Sequence, residues 1–212
     1  MPELIDKHWS HGPHYQFSDS IIFITWRLAF TLPKHIIALF EELKTKALTD
    51  ENKRDMEYLK NHNDFLLQRF QDYDLALGKF TNPGYSLNEP NIAKIVTSAF
   101  HFFDGSKYEL HAYCVMSNHV HVLLKALKDE TGDYFLISKI VQSLKRFTAN
   151  EINKTLDKKG QVWDDFYFDR IIRNMKNYEN VVNYILMNPV AAGLIDDVGK
   201  WRDSFFNPGY IS

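Results

Sequence analysis

The spacing of apolar positions begins with a strand. Residues 20–28, SIIFITWRL, put Ile22, Ile24 and Trp26 on one side and Ile21, Phe23 and Thr25 on the other. Both sides are largely apolar, which predicts a central strand covered on two faces. Pro33 then opens a segment carrying Ile36, Ile37, Phe40 and Leu43 at helical spacing. Residues 50–64 are dense in charge and predict a solvated helix, or a helix plus loop. A further helix over about 64–77 carries Leu66, Leu67, Phe70 and Leu77, and TNPGY at 81–85 is a turn. Together, residues 33–87 read as a helical insertion in a smaller core.

Beyond the insertion the periodicity is clearer. Pro90 stands where a first-turn proline would, and Ile92, Val96, Ala99 and Phe103 form a helical stripe ending at Asp104-Gly105. Strands are expected over 108–116 and 119–126, joined by Ser117-Asn118. A helix over 135–156 turns Leu136, Ile140, Leu144 and Phe147 inward, with Lys139, Gln142, Lys145 and Arg146 outward. Residues 166–173 read as a short strand, and 178–186 as a helix stopped near Asn188-Pro189. The order is strand, helical insertion, helix, two strands, helix, strand, helix. It predicts one α+β domain over 1–212: a ferredoxin-like antiparallel sheet with helices on its faces, plus the insertion.

Candidate chemistry falls on two of these elements. His119 and His121 alternate in a strand, so both imidazoles project from one face, where two imidazoles can bind one metal ion. Tyr184 and Asn188, four residues apart, share one face of the last helix. Three more histidines, His8, His11 and His14, flank Gly12-Pro13, which predicts an extended arm that does not align them. His111 and Tyr113 should face away from Cys114 in a regular strand and have structural roles.

Composition narrows the class. Hydrophobic residues make up 45% and charged residues 25%, ordinary for a globular chain. The single cysteine excludes an intrachain disulfide and a cysteine-cluster zinc site. MPELIDKHWSHG at the start has no apolar signal core, and no run approaches the ~18 apolar residues of a membrane helix, so a reducing cytoplasm is the expected compartment. A formal net charge of −2 argues against a nonspecific nucleic-acid coat protein, yet leaves room for a selective DNA enzyme with a local basic patch.

Five pieces of the chain resemble, in order, the IS200-like single-tyrosine transposases of the histidine–hydrophobe–histidine superfamily, most of all the branch associated with repetitive extragenic palindromes. They are FITWRL at 23–28, AYCVMSNHVHVLL at 112–124, SLKRFTANEIN at 143–153, GQVWDDFYFDRIIR at 160–173 and NYILMNPVAAGLI at 183–195. One departure is Ser117, where the family usually has proline before NHVH. The resemblance implies that His119 and His121 bind a divalent cation, Mg²⁺ or Mn²⁺, with Asn188 able to add an amide oxygen. It implies that Tyr184 attacks phosphorus, forms a 5′-phosphotyrosine and releases a 3′-hydroxyl that can later reseal. The implied substrate is single-stranded DNA with a hairpin nearby. Arg27, Lys139, Lys145, Arg146, Arg170 and Arg173 are candidate phosphate contacts, and Trp163 and Tyr167 candidate stacking platforms. Relatives include monomers and dimers, so a homodimer stays open.

Four readings compete: a strand transferase, a replication-type nickase, a noncatalytic DNA-binding module of the same fold, and a metal hydrolase using the histidines with Asp164 or Asp165. Tyr178 competes with Tyr184 as nucleophile but lacks the following Asn-Pro.

Overall fold

A computed structural model describes residues 2–9, 13–32, 74, 77, 80, 82 and 84–210. The helices expected over 33–73 therefore lie outside the described residues; Asp74 and Leu77 are helical.

Two faces of apolar side chains make the predicted central strand. β3, Ile21–Arg27, is buried almost throughout and pairs antiparallel with a strand on each side. After the insertion comes α1, Pro90–Phe102, with Pro90 in its first turn and Ile92, Ala93, Val96, Ala99 and Phe100 buried. It ends where Gly105 takes a φ of +75°, a left-handed turn that glycine adopts without strain. Then follow β4, Tyr108–Val115, and β5, His119–Ala126, joined by the Ser117-Asn118 turn. α2 is Ile137–Thr155, β6 is Phe168–Ile172 and α3 is Met175–Ala191.

All pairings in the five-stranded sheet are antiparallel, with the order β6-β3-β5-β4-β7, where β7 is Ser204–Phe206. Its first four strands and two crossover helices, β3-α1-β4-β5-α2-β6, are the ferredoxin-like βαββαβ unit. α1 and α2 cover one face of the sheet, and α3 covers the other. β7 adds a short edge strand against β4.

Four local expectations change. β1, Leu4–Trp9, and β2, Pro13–Phe17, form a hairpin rather than an unaligned arm. His8 and His14 are register partners, with rings stacked 4.7 Å apart. Phe147 is 53% exposed, and Val141, Thr148 and Ile152 take the inward positions on α2. A shift in register between Leu110 and Ala112 turns His111 toward α3, on the Cys114 side, where its Nδ1 meets the Tyr178 hydroxyl at 3.0 Å. α3 runs through Pro189 to Ala191. Proline there forfeits one backbone donor in the last turn, and the carbonyls of Asn188, Pro189 and Val190 are still capped by Ala192, Leu194 and Gly193.

Candidate metal and nucleophile site

Strand alternation decides which face receives the histidines. Val120, Val122 and Leu124 of β5 enter the core under α1 and α2, so His119, His121 and Leu123 face α3. α3 starts at Asn174, whose side chain accepts from the Asn177 backbone N–H at 2.9 Å. Its apolar stripe of Tyr178, Val181, Val182 and Ile185 packs on the sheet and brings Tyr184 to the edge of the histidine pair. The Tyr184 and His121 ring centres lie 5.6 Å apart. Tyr178 is buried two turns earlier and bonded to His111, so it stands apart from the pair.

The residue that joins these groups is Asp74, from the insertion. Its Oδ1 lies 3.2 Å from His119 Nε2, and its Oδ2 lies 3.3 Å from His121 Nε2. The Tyr184 hydroxyl donates to Oδ2, and the Asn188 amide donates to it at 2.8 Å. Sequence reasoning missed Asp74. It is one acid in a charge-rich stretch, 110 residues from Tyr184, and no spacing marks it.

The far sides of the rings are held as well. His121 Nδ1 is 2.7 Å from the Thr25 hydroxyl and His119 Nδ1 is 2.6 Å from Asn118 Oδ1. Such outer contacts fix the orientation of metal-binding imidazoles. Burial pushes His119 down to about 4 against the pull of Asp74, so its ring is neutral at pH 7, the form that binds metal. Burial also disfavours the Asp74 anion, but the positive charge that the facing His121 and His119 rings carry when protonated, with the hydrogen bonds from His121 and Tyr184, outweighs it. They hold the carboxyl well below its ordinary value. Burial and the Asp74 charge push the Tyr184 phenol far up.

Among the described residues, Asp74, His119 and His121 form the group able to hold a metal ion, with ligand atoms within 4.8 Å of one another. The fit is supported by two buried atoms that make no hydrogen bond, Asp74 Oδ1 and His119 Nε2, although each faces the other. Two imidazoles and a carboxylate suit first-row divalent ions.

Comparisons with known proteins bear on the family and the fold. Residues 88–188 match the family model for IS200-like transposases. Over that span the chain is similar to the IS200-like transposases. The matched span is just under half of the chain; it includes His119, His121, Tyr184 and Asn188, and begins after Asp74. A REP-associated tyrosine transposase of Escherichia coli K12 is 29% identical over 100 residues, which cover 47% of this chain and 55% of that one. A Haemophilus influenzae relative is 26% identical over 105 residues, covering 47% of this chain and 60% of its own. The chain thus spans somewhat over half the length of these curated relatives. A solved structure of a REP-associated tyrosine transposase bound to a REP hairpin covers 93% of this chain and 81% of its own, with a TM-score of 0.51 and 16% identity. That likeness speaks for the α+β fold.

The other expected site residues are dispersed. Arg27 is buried, with Nη2 2.7 Å from Asp164 Oδ2. The Lys145 ammonium donates to the backbone carbonyls of Asp164, Asp165 and Phe166. Lys139, Arg146 and Arg173 are exposed, and Arg170 is half-buried on β6. Trp163 and Tyr167 are buried and bonded, Trp163 to Thr148 at 2.8 Å and Tyr167 to His8 at 3.0 Å, so both are packing residues. Asp164 faces Arg27, and the carboxylate beside the histidines is that of Asp74. Among the described residues, no helix is long and apolar enough to cross a membrane.

Proposed function

We propose that this protein is a metal-dependent DNA strand transferase that cleaves and rejoins single-stranded DNA through Tyr184, at hairpin or palindromic elements. The observation that carries the proposal is the convergence of the Tyr184 hydroxyl and the His119 and His121 imidazoles on one carboxylate. A nucleophile and a candidate cation site share one point, as metal-assisted phosphoryl transfer through a tyrosine requires. The hairpin follows the solved relative, whose complex contains one.

The cation, Mg²⁺ or Mn²⁺, would be held by His119, His121 and Asp74, and when bound supplies positive charge that stabilises the charge developing on the phosphate. Asn188, first expected as a ligand, turns its amide nitrogen on Asp74 and orients that carboxylate. Tyr184 directs its hydroxyl hydrogen at Asp74, which leaves oxygen lone pairs for the phosphorus. Attack forms the bond from the tyrosine oxygen to phosphorus and breaks the bond from phosphorus to the 3′ oxygen. The phenol proton passes along its hydrogen bond to Asp74 and on to solvent, and the departing 3′ oxygen takes one proton from solvent to leave as a hydroxyl, so no net proton is consumed. A second 3′-hydroxyl reverses the step and frees Tyr184, so no nucleotide cofactor is consumed. The exposed Lys139, Arg146 and Arg173, with Arg170, are the proposed backbone contacts. Arg27 and Lys145 instead brace the 164–166 loop.

The deciding experiment is a denaturing gel of the protein with labelled single-stranded hairpin oligonucleotides and Mn²⁺. A covalent adduct is expected from the parent and from Tyr178→Phe, and none from Tyr184→Phe. Cleavage without an adduct would favour a hydrolase. Binding without cleavage under Mg²⁺ and Mn²⁺ would favour the noncatalytic module.

A further inference from the structure

Asn118 sits in the two-residue turn between β4 and β5, a place usually open to solvent. Here it is buried, with both ends of its amide engaged. Its Nδ2 donates to the Leu77 carbonyl at 2.9 Å and to the Phe80 carbonyl at 2.6 Å. Carbonyl oxygens only accept, so the two of them fix which way the amide points. Its Oδ1 must then face His119 Nδ1, 2.6 Å away. An amide oxygen also only accepts, so His119 carries its hydrogen on Nδ1. In a neutral ring this leaves a bare lone pair on Nε2. That lone pair faces Asp74 Oδ1 at 3.2 Å, acceptor against acceptor in a dry site, which is favourable only around a positive charge.

Both ends of this relay come from one segment. Asp74 and Leu77 are helical and three residues apart, so they share a helix face. The segment that supplies the carboxylate also sets the tautomer of the imidazole opposite. It lies wholly before residue 88, outside the span shared with the IS200-like family.

We infer that Asn118 is a positioning residue of the cation site: gripped by the Leu77 and Phe80 carbonyls, it holds His119 in the Nδ1–H form and so ties cation affinity to the contact of Leu77 and Phe80 with the β4–β5 turn. The inference rests on the cation reading above. It changes the place of the insertion from a decoration to a working half of the site.

Two measurements on the intact protein without DNA test it. Long-range ¹H–¹⁵N NMR of the metal-free protein at neutral pH should find His119 protonated on Nδ1 and bare on Nε2. The opposite tautomer overturns the inference, whatever the variants do. Mn²⁺ titration followed by electron paramagnetic resonance should then give a dissociation constant weakened ~10–100-fold in Asn118→Ala, the usual range for an outer-shell partner of a metal-binding histidine. In the same variant the His119 tautomer should become mixed, a change that mere loosening of the turn would not produce. Equal Mn²⁺ affinity in parent and variant overturns the role of Asn118 alone. A parent that binds no Mn²⁺ overturns the cation reading itself. If Asn118→Ala does not fold, the tautomer of the parent decides.

Discussion

The two faces of the sheet are built from the same strands on opposite principles. Under α1 and α2, the side chains of Ile22, Ile24, Trp26, Val120, Val122 and Leu124 make a dry core, with Phe100 edge-on to Trp26 at 5.8 Å. Under α3, one residue along in each strand, Phe23 and Leu123 share the face with Thr25, His119 and His121. The first face gains free energy from each side chain removed from water. The second places a carboxylate, two imidazoles, a phenol and an amide where water is excluded. Each of those groups incurs a desolvation cost that its polar neighbours must offset. On the proposed function, stability and activity belong to opposite sides of one sheet.

The largest effect should come from breaking the dry face. Phe100→Ala removes a fully buried ring and should destabilise the protein by about 3–5 kcal/mol. Urea denaturation measures that loss, and the folded fraction should keep the parental Mn²⁺ affinity. A parallel drop in affinity would mean that the faces are not separable.

Asp74→Ala attacks the other face. Adduct yield should fall by more than ~100-fold, beyond the loss expected from an outer contact. Stability of the metal-free protein should fall, because the buried Tyr184 hydroxyl and Asn188 amide lose the acceptor they donate to. An active Asp74→Ala protein would return Asn188 to the ligand place.

Cation should stabilise the parent through the same cluster. At about 100 times its dissociation constant, Mn²⁺ should add ~2.7 kcal/mol, read as a shift of the thermal midpoint. His119→Ala and Asp74→Ala should lose the shift, while Phe100→Ala should keep it.

The smallest effect concerns protons. Burial, with the nearby Lys125 charge, lowers His111 from 6.5 to about 4 in the folded chain. The unfolded chain takes up that proton first, so the contribution is complete above pH 6.5 and is lost as pH falls toward 4. At pH 5 the loss should be about 2 kcal/mol. Denaturation midpoints from pH 7 to 5 should fall less in His111→Gln than in the parent. Equal slopes would remove His111 from the account.

Periodicity and a few turn signals carried much of this protein. The alternation in 20–28 announced a strand covered on both faces, His119 and His121 announced a shared face, and Tyr184 with Asn188 announced a helical partner for it. These are local facts, because a strand repeats every two residues and a helix every 3.6. The exceptions are short or depend on distant partners. β7 has three residues, too few for a period, and pairing with β4 makes it a strand. The register shift at Leu110–Ala112 reverses the side His111 faces, and nothing in YELHAYCV marks it. Pro189 signalled a helix end, yet it fits the last turn of α3.

By itself, then, the sequence determined the sheet, the helices that cover it and the pair of histidines aimed at a tyrosine. Tertiary structure alone decided that Asp74 completes that site and that Asn118 turns inward to hold His119. Their partners lie tens of residues away, and periodicity carries no information over such distances. Only the contacts of Asp74, Leu77 and Phe80 with β5 and the turn before it bring these polar groups together, in a place dry enough for each contact to matter.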